Sequence, residues 1–232
     1  MVIRVPVPGT PFADNFSFLG NDTFAFHIAA GGGNDTVTGG TLSDLIEGGM
    51  GNDSVFGADG DDFLFGQDGD DFMRGGEGND SLSGGNGNDQ LFGNNGDDFF
   101  SGSSGRDILA GGAGRDIMSG GSEADTFRFI RFADSAAGVR RDVITDFARG
   151  SDKIDFDLID ANTSLSGNQD FFFVGSQTFI AGVTGQIRAV TAFRADGTGV
   201  TIVSGDINGD RVADFEIQVT GIHNLSVTDF DL

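Results

Sequence analysis

Aspartate returns every ninth residue, eleven times in succession: Asp35, Asp44, Asp53, Asp62, Asp71, Asp80, Asp89, Asp98, Asp107, Asp116 and Asp125. Two residues after each stands an apolar one: Val37, Ile46, Val55, Leu64, Met73, Leu82, Leu91, Phe100, Leu109, Met118 and Phe127. Glycine fills most of positions 1, 2 and 4 of each nine-residue unit, as in Gly48-Gly49-Met50-Gly51-Asn52-Asp53. Regularly spaced carboxylates among glycine turns supply oxygen ligands only. Their chemistry is the binding of a hard divalent cation by side-chain and main-chain oxygens. A fixed demand for a carboxylate and a fixed demand for a buried side chain, at one period, mark a calcium-loaded solenoid.

Such carboxylates need a scaffold that repeats as they do. Each unit over 30–128 reads as a six-residue glycine-rich turn followed by a three-residue strand, with the middle strand residue inward and its neighbours outward. Strands that short survive only by stacking, unit n on unit n+2, so two units make one turn and two parallel sheets result. The predicted fold is all-β: a right-handed parallel β-roll with an antiparallel, β-sandwich-like C-terminal cap. Stacking sorts Asp35, Asp53, Asp71, Asp89, Asp107 and Asp125 into one column and Asp44, Asp62, Asp80, Asp98 and Asp116 into another. Stacked strands lie about 4.8 Å apart, so bare carboxylates repel along each column and a cation between them reverses the sign.

Calcium suits this arrangement better than Mg²⁺, because it takes many oxygens in loose geometry. The carbonyls of the turn glycines complete the expected ligand set: Gly49, Gly51, Gly60, Gly69, Gly76, Gly78, Gly85, Gly87, Gly96, Gly105, Gly112 and Gly114. Six members in one column and five in the other leave five and four gaps, hence at most nine ions in the roll. Leu42 and Glu123 break position 4 near the two ends, and Ala30, Ala58, Gln67, Asn94 and Ser103 replace glycines at positions 1 or 2. The middle, 48–116, is expected to bind best.

Composition closes off other chemistries. The net charge is −23, and residues 30–128 hold 19 Asp/Glu against 4 Arg, a net −15. Nucleic acid and anionic membranes are therefore poor partners. There is no cysteine, so neither disulfides nor thiolate chemistry arise. No apolar run reaches transmembrane length, and the N-terminus MVIRVPVPGTPF lacks the apolar core and cleavage site of a Sec signal. Gly102-Ser103-Ser104-Gly105 lacks nucleophile-elbow spacing and falls in phase with the repeat. The pairs Asp61-Asp62, Asp70-Asp71 and Asp97-Asp98 read as one ligand with an outward, charge-enhancing neighbour. Phe56, Phe63, Phe65, Phe72, Phe92 and Phe99 flank the buried position and should face outward, either packing beneath the ends of the chain or marking a contact face for a glycan or protein.

The chain divides into a lead-in (1–29), the roll (30–128) and a cap (129–232). In the lead-in, Gly20-Asn21-Asp22-Thr23-Phe24 carries the repeat signature out of phase, as a capping half-turn or a plain strand. In the cap, 186–190, 199–203 and 214–219 alternate as strands. Asp206, Asn208, Asp210 and Asp214 have the spacing of part of an EF-hand loop, but Ile217 stands where its bidentate acid belongs. A calcium site and a hydrogen-bonded Asx turn are the two readings.

The nonapeptide resembles the RTX repeat of proteins exported by bacterial type I secretion. The cap segments Asp142–Phe156, Gly185–Ile187 and Gly205–Ile217 resemble the C-terminal part of serralysin-type metalloproteases. The resemblance implies calcium in the turns, an uncleaved C-terminal secretion signal ending here in Asp229-Phe230-Asp231-Leu232, and a further calcium near the junction with Asp134 and Asp142 as ligands. The protease half has no counterpart: there is no His-Glu-x-x-His, and the only histidines are His27 and His223.

The sequence thus predicts a secreted, extracellular, non-enzymatic calcium-binding protein whose roll folds on binding calcium after export. Its expected partners are the type I secretion machinery and an extracellular glycan or protein, with no nucleic acid and no membrane insertion. The alternatives are an adhesin, lectin-like or surface-layer protein using the Phe-bearing face, or the C-terminal secretion portion of a larger secreted enzyme. The start at Met1 favours a complete small protein.

Overall fold

The computed structural model describes residues 5–18, 25–131, 133–138, 140–161 and 169–232. The lead-in signature at 20–24 lies outside these residues. The strands follow in chain order. First come β1 (Val5–Thr10), β2 (Asn15–Ser17), β3 (Phe26–Gly32), β4 (Thr36–Thr38), β5 (Leu45–Met50), β6 (Ser54–Asp59) and β7 (Phe63–Asp68). Then come β8 (Phe72–Glu77), β9 (Ser81–Asn86), β10 (Gln90–Asn95), β11 (Phe99–Ser104), β12 (Ile108–Ala113), β13 (Ile117–Ser122) and β14 (Thr126–Arg128). The last are β15 (Asp142–Ile144), β16 (Lys153–Asp155), β17 (Phe172–Phe173), β18 (Gln186–Phe193), β19 (Gly199–Asp206), β20 (Phe215–Thr220) and β21 (Phe230–Asp231). A three-residue 3₁₀ turn at Val227–Asp229 is the one helical element among the described residues.

Odd-numbered strands of the roll stack in one sheet and even-numbered strands in the other, all in parallel register, unit n on unit n+2. The eleven apolar residues of position 8 fill the space between the sheets, each no more than 1 % exposed. Burying each contributes about 1.5–3 kcal/mol, an upper figure because unfolded chains already hide part of this surface.

The strands are longer than the spacing suggests. From β5 to β13 each is six residues, running from position 7 through position 3 of the next unit, so the turn proper is positions 4 to 6. The first two glycines of each unit are strand residues. The ladder slips past position 1: Phe92 pairs Ala110 and Asn94 pairs Gly112, while Gly93 has no partner in the register. Glycine is needed there for space. A Cβ on Gly48 would lie 2.5 Å from Asp53 Oδ2 and 3.0 Å from the Gly66 carbonyl.

The cap is antiparallel only in part. β18, β19 and β20 pair antiparallel, but β20 joins β15 in parallel, and β15 continues the odd sheet from β13. On the other side β16 and β21 extend the even sheet in parallel register from β14. The two sheets of the roll run on into the cap, so its pairing is parallel where it joins the roll and antiparallel only through β18, β19 and β20. An aromatic core seals it, with Phe156 at 5.3 Å from Phe215 and Phe171 edge-on to Phe215 at 6.0 Å.

Candidate metal centre

Every roll aspartate of position 6 is 2 % exposed or less. Its backbone accounts for the burial: the residue closes the turn and delivers the chain into the next strand, with its carbonyl accepting from position 7 of the next rung, as Asp53 O does from Phe72 N at 2.9 Å. The side chain reaches the other way. Asp53 Oδ1 accepts the amide of Asp35 at 2.7 Å, Asp71 Oδ1 that of Asp53 at 2.7 Å, and Asp89 Oδ1 that of Asp71 at 2.8 Å. The second column does the same, from Asp44 N to Asp62 Oδ1 (2.7 Å) up to Asp98 N to Asp116 Oδ1 (2.9 Å).

One oxygen of each carboxylate is thus used by the fold. The other, Oδ2, is buried without a hydrogen-bond partner in Asp35, Asp53, Asp62, Asp71, Asp80, Asp89, Asp98, Asp107, Asp116 and Asp125. Buried polar atoms are nearly always satisfied, so a regular row of orphans points to a ligand that the protein itself does not supply. In Asp53, Asp62, Asp71, Asp80, Asp89, Asp98, Asp107, Asp116 and Asp125 burial drives the proton affinity up, tempered by the amide each accepts and reinforced by neighbouring carboxylates. Asp89, Asp98 and Asp107 rise to about 6, Asp62, Asp71, Asp116 and Asp125 to about 7, and Asp80 to about 8. Asp53 moves in the same direction for the same reason.

The donor set fits calcium. Among the described residues no three His, Asp or Glu side chains converge on one point, so a cation must draw on single carboxylate oxygens and main-chain carbonyls, a hard all-oxygen set. The twelve glycines expected to offer carbonyls all have positive φ, from +105° at Gly112 to +146° at Gly114. Their carbonyls face the next rung: a Cβ on Gly69 would run into Gly51 O, and one on Gly87 into Gly69 O. The carbonyls flanking the orphaned Oδ2 at the Gly48 cradle belong to position 1, a set that spacing alone did not bring forward. Ala58, Gln67, Asn94 and Ser103 hold position 2 at φ 78–87°, nearer the left-handed helical well than the glycines of the same position.

The second unit departs from the rest. With Leu42 in place of glycine at position 4, Gly40 turns its amide onto Asp44 Oδ2 at 2.7 Å, while Asp44 Oδ1 takes the amide of Phe26 at 2.6 Å. Both oxygens are engaged, in keeping with a weaker end.

Both columns outrun the repeat. Asp142 Oδ1 accepts Asp116 N at 2.8 Å, and Asp152 Oδ1 accepts Asp125 N at 3.1 Å. Asp142 Oδ2 is another buried orphan, and burial together with the Asp116 charge lifts the group to about 9. Asp134 is buried nearby and its charge raises both Asp116 and Asp142, but its own oxygens accept from Ile130 N, Arg131 N and Arg131 Nε. Asp152 was not foreseen, although it keeps the nine-residue phase three units after Asp125, with Gly150 at position 4 and Ile154 at position 8.

A further ladder was also missed. The side chain at position 5 accepts the amide of position 5 two units on: Asn34 from Asn52, Asp61 from Asn79, Asp70 from Asn88, Asn79 from Asp97. These bonds run opposite to those of position 6. The outer acids of the Asp-Asp pairs are therefore stitching groups and not only extra charge. The signal was present, since position 5 is Asn, Asp or Ser in the first eight units.

In 206–214, Asp206 accepts from Gly209 N and Arg211 N and Asp214 from Ile207 N and Asn208 Nδ2, while Asn208 Oδ1 accepts Asp210 N and Asp210 Oδ1 accepts Val212 N in two Asx turns. His27 meets Glu47 at 3.0 Å, and His223 meets the Thr220 carbonyl at 2.8 Å. Phe63, Phe65 and Phe99 are 47, 36 and 52 % exposed. Phe56, Phe72 and Phe92 are half-buried and pack on one another at 5.9 and 5.4 Å. Among the described residues no helix is long and apolar enough to cross a membrane.

Comparison with known proteins bears on the same stretch. The RTX calcium-binding nonapeptide repeat family matches in four copies, at 29–64, 56–91, 65–100 and 92–127. Among solved structures, the chain is similar to the AlgE6R3 subunit of a mannuronan C5-epimerase from Azotobacter vinelandii, at 30 % identity over 69 % of this chain and 77 % of that one, with a TM-score of 0.33. It is likewise similar to the AlgE6R2 subunit, at 28 % identity over 78 % and 90 % of the two chains, with a TM-score of 0.37. No curated protein matches. Nine-residue phase, paired aspartate columns and the family match agree: residues 29–127 are calcium-binding RTX nonapeptide repeats.

Proposed function

We propose that the chain is a non-enzymatic calcium-binding module, exported unfolded by a type I route and folded outside the cell as calcium fills its two columns. The row of ten buried Oδ2 atoms without partners carries this reading. Empty, the columns hold carboxylates that burial and mutual repulsion penalise; filled, the same oxygens bind across rungs, and binding free energy becomes folding free energy. Extracellular modules typically bind calcium at about 10⁻⁴–10⁻³ M, well above cytosolic levels, so the switch is set by compartment. The roll aspartates, with carbonyls of the turn glycines, hold up to nine ions, and Asp142 with Asp116 forms one further site beside Asp134. Catalysis is not assigned, since His27 and His223 serve separate structural contacts.

Far-ultraviolet circular dichroism tests the switch. The β signal should vanish with EGTA and return with calcium; a chain fully folded in EGTA overturns the reading. Export is tested separately, in a host carrying a type I exporter, where loss of Asp229–Leu232 should leave the chain inside the cell.

A further inference from the structure

The two outer faces of the roll differ. On the even sheet, Phe56, Phe72 and Phe92 stack on one another and Arg74 lies over Phe72 at 5.7 Å, so that aromatic surface is largely self-satisfied. On the odd sheet, among the described residues, Phe63, Phe65 and Phe99 make no ring contact with another aromatic and are the exposed ones.

Between them the sheet has a trough. Along β9 the outward positions are Ser81, Ser83 and Gly85, paired to Phe63, Phe65 and Gln67 on β7 and to Phe99, Ser101 and Ser103 on β11. Large side chains on one strand, small ones on the next, and Phe99 beyond leave a channel one strand wide. Two strand spacings, about 9.6 Å, separate its walls. The recess has a volume of about 350 Å³, with Phe65 on one wall, Ser83 and Gly85 as floor, and Gln67, Asp68, Asn86 and Ser103 around it.

Its polar groups are already oriented. Asn86 Nδ2 donates to Asp68 Oδ1 at 2.8 Å, Gln67 Nε2 donates to Glu47 Oε2 at 3.1 Å, and Ser101 and Ser103 hydroxyls lie 3.0 Å apart. One N–H of each amide is engaged by a neighbour, so the side chains offer one further N–H each and, as acceptors, the carbonyl oxygens of Asn86 and Gln67 and the second oxygen of Asp68. An aromatic wall beside a few preset acceptors calls for a ligand with a flat C–H face and many O–H donors. Glu47 and Asp68, on a chain of net charge −23, oppose an anionic one.

We propose that this trough binds a ring of a neutral oligosaccharide, with the pyranose C–H face on Phe65 and its hydroxyls donating to Asp68, Asn86 and Gln67. The site exists only in the folded roll and so rests on the calcium-folded state. The test uses the full chain in calcium, its fold verified by circular dichroism, titrated calorimetrically with cello-, xylo-, manno- and malto-hexaose and with a hexamer of uronic acids. One neutral hexamer should bind. Ser83→Phe fills the trough with a side chain that position 9 already carries at Phe56, Phe65 and Phe92, and it should abolish binding while leaving the fold intact. Phe65→Ser should weaken binding by about tenfold, the scale of one lost ring-stacking contact. Folded protein that binds no neutral hexamer, that binds the uronate better, or that binds as well with Phe at 83 overturns the assignment. Failure to fold in calcium shows in the dichroism and counts against the folding switch instead.

Discussion

The amide of Asp116 donates to Oδ1 of Asp142 across 26 residues of sequence, at the same 2.8 Å that joins rungs 18 residues apart inside the roll. Each aspartate column is therefore capped from outside the repeat, and always by the rung nearer the C-terminus. Asp142→Ala removes an acceptor from a buried amide, which costs about 1–3 kcal/mol. The calcium-loaded protein should melt lower, and hydrogen exchange should show Asp116 N losing protection ahead of amides in mid-roll.

Asp53→Asn separates fold from ligand. The side-chain carbonyl still takes the Asp35 amide, while the charge and the orphaned oxygen on the side of the Gly66 carbonyl disappear. The variant should be more folded than the parent without calcium and need more calcium to reach full structure. Titrations followed by circular dichroism, begun in EGTA, give both numbers; a variant less folded than the parent in EGTA contradicts the repulsion account.

The metal-free chain should fold on acidification. Eight folded roll aspartates, Asp62, Asp71, Asp80, Asp89, Asp98, Asp107, Asp116 and Asp125, take up protons at about 6 to 8, against 3.8 for the ordinary group, so the folded state binds more protons throughout that window. Their contribution to metal-free stability is complete below about pH 3.8 and is lost as pH rises through 6 to 8. Calcium affinity should run the other way and strengthen over the same range, because the ligand is the ionised carboxylate. Dichroism of dilute protein in EGTA between pH 4 and 8, paired with calcium titrations at each pH, measures the two slopes.

Glycine is not equally required at each place. Gly69 has φ +132° and a Cβ there would meet the Gly51 carbonyl, so Gly69→Ala should cost more than about 1 kcal/mol. Gln67, two residues earlier at φ 82°, shows that position 2 accepts a side chain. Gln67→Gly should stay within about 1 kcal/mol of the parent, as thermal melts in calcium will show.

What the sequence made legible was whatever kept the period. Position 6 and position 8 never vary in kind, so the two carboxylate columns and the core between the sheets follow from spacing alone. Strand length did not, because positions 1 to 3 look like turn residues by composition and become strand only when stacked neighbours supply the ladder. Asp152 escaped because two units without the Gly-x-Asp-x-apolar pattern stand between it and Asp125, although its 27-residue distance keeps the nine-residue phase. The position-5 ladder escaped for a different reason: Asn, Asp and Ser share the ability to accept an amide, and a pattern of types hides what a pattern of identities reveals. In the cap, alternation located β18 to β20 but not their parallel attachment through β15, which depends on contacts far apart in the chain.

The end of the chain is masonry. Phe230 lies 5 % exposed against β16, Asp229 is held by Ser226 and Gly150, and the Lys153 ammonium meets the Thr228 carbonyl. If Asp229–Leu232 are read in extended form by an exporter, as proposed, that reading competes with the closing of this last rung, because the same residues cannot serve both at once.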